Sequence, residues 1–410
     1  MLKKIHYSWF ICAGCTLLFF CTGGLGLTGF SAYFPFMTTF NELKQTQISV
    51  IIFIRSLFGV FGMLFVNAFL KKFEIRRVVT AAMIVSAASF LTYGLTGTFA
   101  GYCAAAALAG IAYGFGSMIP VSILISRWFN EHQGLAIGIC MAATGVSAFV
   151  ASPIITWMVE SMSLRMSFII EAAFVAVMAT VVWTLLRSMP SCLDLEPLGA
   201  EEGGTETKYA AKTASKGLYL AMVIGFLILG AAANNLHSNL SVLYQSVGFD
   251  SAKISGVISM FGISLAIGKC ACGQLSDKIG VFKACMILFV MSVIGCGMFC
   301  LARNGSMTMA TIAVLLVGAG MSVASVATST YAVDIATEED YPSVVSRFQT
   351  MQTVGGLAFA IMPGVLADMT GDYILAYEIM FAFVLISAIV IQGAYLKIRK
   401  EQAAETEAAA

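Results

Sequence analysis

Twelve long apolar runs, each at least 20 residues in length, dominate this chain. A helix that crosses the hydrocarbon core of a bilayer needs about 20 mainly apolar residues, because each residue adds about 1.5 Å. The pattern therefore predicts an all-α integral membrane protein with twelve transmembrane helices. We place them at residues 8–35, 47–69, 78–97, 99–126, 134–159, 164–187, 217–245, 252–275, 281–301, 307–335, 342–367 and 373–396.

The composition indicates lipid as the main solvent. Of 410 residues, 59% are hydrophobic and 11% are charged, whereas a soluble domain carries about 25% charged residues. The net charge of +1 argues against nucleic acid as a partner, because no basic stripe is present to neutralise phosphates. The first apolar run is too long for a signal-peptide core and lacks a clear cleavage site, so it is expected to remain as the first helix.

The cysteines and histidines indicate no metal site. Ten of the eleven cysteines fall within apolar runs, where small thiols pack between helices, and Cys192 lies in a polar loop. The three histidines, His6, His132 and His237, are not close in sequence to any pair of cysteines. We expect neither a metal nor a cofactor.

Two polar segments divide the chain. Residues 188–216 are rich in Glu, Gly, Thr and Lys and lack apolar periodicity, which is typical of a solvated linker. Residues 399–410 form a polar, alanine-rich tail that is disordered or frays from the last helix. The predicted domains are therefore two six-helix bundles, residues 1–187 and 217–398.

The basic residues predict the orientation in the membrane. With the N-terminus inside, 17 of the 23 Lys and Arg residues fall in inner segments. Four fall in outer segments, Lys44, Arg165, Lys253 and Arg303. Cytoplasmic loops carry the excess of basic residues. Both termini and the linker are therefore expected in the cytoplasm of a cell whose plasma membrane holds the chain.

An internal repeat relates the two halves. The sequence GQLSDKIGVFK after the eighth helix corresponds to NAFLKKFEIRR after the second, at a shift of 206 residues. Pro153 in the fifth helix and Pro363 in the eleventh are related by a similar shift of 210 residues. Two halves of like orientation are expected, with a substrate path at their interface near the bilayer midplane.

These residues resemble the major facilitator superfamily. Residues 273–283 are similar to its loop signature G-x-L-x-D-[RK]-x-G-x-x-[RK], whereas the first-half copy has Asn67, Lys71 and Glu74 at signature positions. The resemblance implies that this loop helps to latch the inner face. The residues expected in this gating role are Gly273, Asp277, Lys278, Gly280, Arg76 and Arg77.

Within that superfamily, three segments resemble the oxalate–formate antiporter and monocarboxylate-porter branch. RWFNEHQGLAIGI (127–139) is similar to K-W-F-P-x-x-R-G-L-A-x-G-I, and GVLADMTGDY (364–373) to G-x-x-x-D-x-T-G-S-Y. GKCACG (268–273) is similar to G-R-x-x-x-G, in which the arginine binds substrate carboxylate, and Lys269 takes its position. The resemblance implies that Lys269 binds an anionic substrate.

Two basic residues, Lys269 and Arg55, belong to neither the inner nor the outer segments because they are predicted to lie within the membrane. A cation at mid-helix costs roughly 2.5–3.5 kcal/mol, so each is expected to face water or a counter-charge. The alternative for Lys269 is a side chain that extends to the cytoplasmic surface. Arg55 either binds a carboxylate bidentately or forms a structural pair with Glu171, which is predicted at a similar depth.

Polar residues complete the candidate site. The superfamily resemblance implies that helices one, four, seven and ten line the cavity, and these offer hydrogen-bond donors for a carboxylate. The alternative for each is hydrogen bonding between helices. The candidates are Tyr33, Tyr113, Asn234, Asn235, His237 and Tyr331.

The favoured function is a secondary transporter of a small organic anion, working as a monomer. Moving one negative charge inward costs roughly 2.3 kcal/mol per 100 mV, so uptake needs a proton or exchange against another anion. The branch's membrane aspartate is Leu265 here, which favours exchange, or a proton carried by His237 or with the substrate.

Two alternative functions fit the sequence less well than an anion transporter. An exporter of hydrophobic or cationic compounds would keep the fold, but the fifth helix reads ATGVSAFVASPI rather than the G-x-x-x-G-P of drug antiporters. A membrane enzyme or a sensor is the third. No GxxxxGK[ST], HExxH or GxSxG sequence is present, so neither an ATP-driven pump nor a hydrolase is supported.

Overall fold

The prediction of an all-α membrane protein is confirmed. The computed structural model describes residues 6–40, 43, 45–199, 210, 215–240, 243–244, 247–249, 251–302, 305–371 and 373–409. Within these residues, twelve helices are long and apolar enough to cross a membrane. The same residues contain no strand, only one isolated bridge between Phe129 and Leu198.

The chain divides into two compact units, Met1–Gly204 (unit 1) and Thr205–Ala410 (unit 2). In unit 1, α1 is an α-helix over Ser8–Phe19 and a π-helix over Phe20–Thr28, and a 3₁₀ turn, Gly29–Tyr33, follows. The other long helices of unit 1 are α2 (Gln45–Lys72), α3 (Ile75–Leu95), α4 (Phe99–Phe115 and Met118–Trp128), α5 (Gln133–Ser161) and α6 (Leu164–Leu185).

Unit 2 repeats this arrangement. Its long helices are α7 (Lys216–Ser238), α8 (Ser251–Ile279), α9 (Val281–Cys300), α10 (Met307–Gly320 and Val323–Ile335), α11 (Tyr341–Ala358 and Met362–Thr370) and α12 (Ile374–Ala409). In unit 1, α2 packs on α4, α3 on α6 and α1 on α5. The corresponding pairs of unit 2, α8 with α10, α9 with α12 and α7 with α11, pack in the same way.

Glycines allow the closest of these helix contacts. A Cβ atom on Gly114 of α4 would lie 2.5 Å from the Cα of Gly62 on α2. A Cβ atom on Gly268 of α8 would lie 2.5 Å from the Cα of Ala319 on α10. Small residues let helix backbones approach in a membrane, where apolar burial alone does not drive helices together. The α2–α4 and α8–α10 contacts thereby fix the helices that carry Arg55 and Lys269.

The outward faces of the helices are apolar. On α2, Phe61, Leu64 and Phe65 are about half exposed, and Trp157 of α5 and Ile267 of α8 are more than 60% exposed. Large apolar surfaces of this kind are unfavourable in water and favourable in lipid. The helices therefore present these side chains to the membrane and turn their polar residues inward.

Parts of the two predicted polar segments are ordered. The first part of the linker packs on unit 1, where the Leu198 N–H donates to Trp128 O at 2.9 Å and Leu198 O accepts from Asn130 N at 2.9 Å. Residues 200–209 and 211–214 of the linker, and the outer basic residues Lys44 and Arg303, lie outside the described residues. The predicted tail continues α12 to Ala409 because alanine and glutamate favour helix.

Candidate functional site

Three charged side chains are buried among the described residues. Their exposed fractions are 8% for Arg55, 5% for Glu171 and 6% for Lys269. An ionised group out of contact with water is strongly unfavourable unless it is paired or hydrogen-bonded. Ionisable residues within membrane helices for this reason mark binding sites or proton paths. Unit 1 contributes two of the three, and unit 2 contributes Lys269.

Arg55 lies on α2 in an aromatic pocket of unit 1. Its Nη1 donates to the backbone carbonyl of Gly26 at 2.9 Å, in the π-helical part of α1. Its guanidinium carbon lies 5.6 Å from the centre of the Phe30 ring, and Tyr93 and Tyr113 are within electrostatic range. The Nε atom is buried and has no hydrogen-bond partner among the described residues.

The structure does not form the Arg55–Glu171 pair that the sequence left open. The first-half ion pair between Arg77 and Glu74, at 3.4 Å on the exposed start of α3, involves neither residue. Glu171 instead accepts a hydrogen bond from Tyr33. The two residues share a predicted depth but no hydrogen bond, because α6 packs mainly on α3 whereas α2 packs mainly on α4.

Glu171 belongs to a second buried cluster. The Tyr33 hydroxyl donates to Glu171 Oε2 at 2.9 Å, and the Ser167 and Tyr33 hydroxyl oxygens lie 2.7 Å apart. The Tyr33 ring stacks on Phe168 with its centre 4.1 Å away. Sequence reasoning missed this cluster. The signal was the spacing of Ser167 and Glu171, which places both on one face of α6, four residues apart.

In unit 2, Lys269 and His237 form the corresponding polar region. Lys269 is buried on α8, next to Gly268 at the close contact with α10. His237 on α7 lies within electrostatic range of Lys269, and its ring centre is 5.3 Å from that of Phe261. His237 is exposed at the surface of unit 2. Two groups able to bear positive charge are therefore within electrostatic range of each other in this unit.

The other candidate ligands fall into two groups. Asn234 is exposed and Tyr113 is half-buried beside Arg55, so each has an accessible side chain. Asn235 is buried and takes part in hydrogen bonding between helices. Its side-chain amide donates to Ala231 O on the same helix at 2.7 Å and to Gly356 O on α11 at 3.4 Å.

Two tyrosines among the candidates are fully buried. Tyr33 is held by Glu171, and Tyr331 packs with its ring centre 5.0 Å from that of Tyr395. Neither has a surface to offer a solute in this structure. Their role as substrate ligands stays a prediction.

The expected gating residues lie mainly on helices rather than in loops. Gly273, Asp277 and Lys278 are in the last turns of α8, and Gly280 begins the turn to α9 with a φ of 85°. Arg76 lies in the first turn of α3, where its Nε donates to Trp183 O at 2.9 Å and its guanidinium stacks on the Trp183 ring at 3.9 Å. Arg76 therefore ties α3 to α6 within unit 1.

Seven of the cysteines are buried, and none of the eleven forms a disulfide bond. Cys12 and Cys140 have their sulfur atoms 3.8 Å apart between α1 and α5. Across the described residues, no group of three or more His, Cys, Asp or Glu side chains could hold a metal ion.

Comparison with known proteins identifies the family. The sequence model of the Major Facilitator Superfamily matches residues 16–230 and 222–410, one match for each half. The chain belongs to the major facilitator superfamily.

Relatives confirm the resemblance to the monocarboxylate-porter branch. Monocarboxylate transporter 13 of Rattus norvegicus is 23% identical over 363 residues, which cover 88% of this chain and 82% of that protein. The uncharacterized MFS-type transporter YhjX of Escherichia coli (strain K12) is 24% identical over 228 residues, covering 55% of this chain and 56% of that protein.

A solved structure shares the fold. The human organic anion transporter MFSD10 (TETRAN) superposes with a TM-score of 0.70 and 12% identity, covering 94% of this chain and 98% of that one. At this identity the likeness concerns the architecture alone. This member of the major facilitator superfamily is therefore a multi-pass transporter, and its solute has to be argued from its own residues.

Proposed function

We propose that the chain is a secondary transporter that moves a small organic anion, a mono- or dicarboxylate, by alternating access. It acts in the cytoplasmic membrane as a monomer, with both termini in the cytoplasm, and it catalyses no covalent reaction. Transport is coupled either to a proton moving with the anion or to exchange against a second anion.

The burial of Arg55 without a carboxylate partner carries this proposal. Among the described residues its guanidinium makes one hydrogen bond, to Gly26 O, and its Nε is left without an acceptor. A buried donor without a partner costs about 1–3 kcal/mol, and more when it is charged. A carboxylate that binds here would supply both the missing acceptor and the missing charge, and the guanidinium fork suits two parallel hydrogen bonds.

Lys269 and His237 support the same class of solute in unit 2. Lys269 occupies the position of the branch's substrate-binding arginine, it is buried, and His237 lies within electrostatic range of it. A lysine offers a point charge with rotatable donors rather than a planar fork. Each unit thus contributes one buried cation, and the relatives include proteins named as monocarboxylate transporters.

A second candidate, an exporter of cationic or hydrophobic compounds, rests on one observation. Glu171 is a buried carboxyl surrounded by the rings of Tyr33 and Phe168, and aromatic rings and carboxylates attract cations. Two of the three buried charged residues are nevertheless basic, and Glu171 is already bonded to Tyr33. The balance of buried charge therefore favours anionic cargo.

The test is ligand stabilisation followed by flux. Purified protein is heated with L-lactate, pyruvate, formate or oxalate, with lactamide as the uncharged match for lactate and tetraphenylphosphonium as a hydrophobic cation. We expect at least one carboxylate, and not lactamide, to raise the apparent melting temperature. The same carboxylate, radiolabelled, should enter proteoliposomes through the protein. Stabilisation by tetraphenylphosphonium alone, with no carboxylate flux, would replace this proposal with the exporter.

A further inference from the structure

The cluster of Tyr33, Ser167 and Glu171 in unit 1 takes no part in the anion contacts argued above. Glu171 is 5% exposed and is the single acidic side chain that is buried among the described residues. The Tyr33 hydroxyl donates to Glu171 at 2.9 Å and lies 2.7 Å from the Ser167 hydroxyl oxygen, so the hydrogen-bonded chain runs Glu171–Tyr33–Ser167. The carboxyl therefore has a fixed, built environment.

The groups that face Glu171 are neutral. These groups are Tyr33, in the 3₁₀ turn after α1, and the thiol of Cys21, in the π-helical part of α1. On α3, the Tyr93 ring stacks on Phe168, with the two ring centres 5.4 Å apart. On α5, the titratable residues are Cys140, which contacts Cys12, and Glu160, which is exposed at the helix end.

No basic side chain in the described residues balances a charge on Glu171. Arg55 donates a hydrogen bond to Gly26 O, and its guanidinium lies over the Phe30 ring. The centres of the Phe30 and Tyr33 rings are 5.8 Å apart. Burying a carboxylate without a counter-charge is far less favourable than burying a neutral carboxylic acid. Glu171 is therefore in a setting that holds a proton, with a hydroxyl chain beside it through which a proton can be passed.

We infer that Glu171 is the proton-binding site of this transporter. One proton from water on the outer side bonds to a Glu171 carboxylate oxygen and later returns to water on the inner side. The coupling of this step to an anion rests on the proposed function, whereas the proton site itself does not. A monocarboxylate that crosses with this proton carries no net charge, so the membrane potential does not oppose its uptake.

Infrared difference spectroscopy on the purified protein tests the proton site without any solute. Lowering the pH should produce the C=O band of a protonated carboxyl that is absent in Glu171→Gln and unchanged in the matched control Glu160→Gln. Tyr33→Phe removes the hydroxyl that donates to Glu171 and should shift this band. A band that persists in Glu171→Gln, or does not move in Tyr33→Phe, overturns the inference.

Proteoliposomes with an internal pH dye and radiolabelled L-lactate test the coupling. Wild type should acidify the lumen as lactate enters. Glu171→Gln should keep lactate–lactate counterflow while proton entry falls to the level of protein-free liposomes. Proton entry with lactate that equals wild type in Glu171→Gln refutes the coupling. If wild type moves none of the tested carboxylates, the proposed function fails, and the infrared result still decides whether Glu171 binds a proton.

Discussion

Replacing Lys269 with alanine should abolish carboxylate uptake while the protein still reaches the membrane. In the proposed site the buried ammonium donates a charge-assisted hydrogen bond to the solute, and a bond of this kind contributes about 1.5–3 kcal/mol. Its loss corresponds to a roughly tenfold to hundredfold weaker affinity. Uptake of radiolabelled lactate or oxalate into proteoliposomes measures the effect.

Lys253 provides the matched control for this change. It lies on the same helix, α8, and its side chain is exposed. Lys253→Ala should transport as wild type does, because it removes the same charge from the helix without touching the buried region. Transport by Lys269→Ala at the wild-type rate would remove Lys269 from the substrate site.

Arg55 and Glu171 should behave as independent residues in a double-mutant cycle. They have different partners, Gly26 for Arg55 and Tyr33 for Glu171. Residues without a shared contact give additive changes within about 0.3–0.5 kcal/mol. The apparent thermal stability of Arg55→Ala, Glu171→Gln and the double variant in detergent gives the coupling. Recovery of the Arg55→Ala protein by Glu171→Gln would instead reveal a structural pair.

At the scale of the helices, the sequence predicted what depends on length and composition. A run of about 20 apolar residues has few alternatives to a membrane helix, so the twelve helices and their order were predictable. The seventh run is predicted at 217–245, whereas α7 ends at Ser238 with Asn239 as its C-cap residue. Apolar composition does not determine such ends.

Lateral packing could not be predicted from the sequence in the same way. The depth of a residue follows from its place along a helix, whereas its neighbours depend on which helices pack and on their rotation. For this reason Arg55 and Glu171 have the same predicted depth but do not form a pair, because their helices α2 and α6 have different main partners, α4 and α3. The π-helical turn Phe20–Thr28, which presents the Gly26 carbonyl to Arg55, also has no simple sequence signal.

The close contact between α2 and α4 should not tolerate a methyl group. A Cβ atom on Gly114 would lie 2.5 Å from Gly62 Cα and 2.7 Å from Gly59 O, and backbone atoms cannot give way as a flexible side chain can. Gly114→Ala should lower stability by about 1–3 kcal/mol through overpacking. The measurement is the apparent melting temperature in detergent, followed by the tryptophan fluorescence of the purified protein.

Gly393 on α12 is the control, because a Cβ atom there meets no atom within 4 Å. Gly393→Ala should be neutral or slightly stabilising, since alanine favours helix over glycine. Equal melting temperatures for the two variants would show that the α2–α4 contact is looser than the structure indicates.

At the scale of the whole chain, the shared packing of the two halves explains why a weak internal repeat in the sequence was sufficient to predict two similar six-helix bundles. The two halves share few residues, but each packs the same pairs of helices and places a buried basic residue next to a close glycine contact, Arg55 in the α2–α4 pair and Lys269 in the α8–α10 pair. A duplicated six-helix unit keeps its packing rules after its sequence has diverged. The first-half gating signature, with Asn67, Lys71 and Glu74, is an example of such divergence.

The orientation of the whole molecule can be tested at Cys192, an exposed thiol in the 3₁₀ turn Pro190–Leu193 that follows α6. The excess of basic residues predicts that this segment lies in the cytoplasm. A membrane-impermeant maleimide should therefore label inside-out vesicles and not right-side-out cells, and Cys192→Ser should lose the signal. In that Cys192→Ser background, Met162→Cys, at an exposed position between α5 and α6, should label from the outside alone. The reverse pattern at both positions would invert the topology and with it the direction of coupled uptake, because the side that supplies the proton to Glu171 would change.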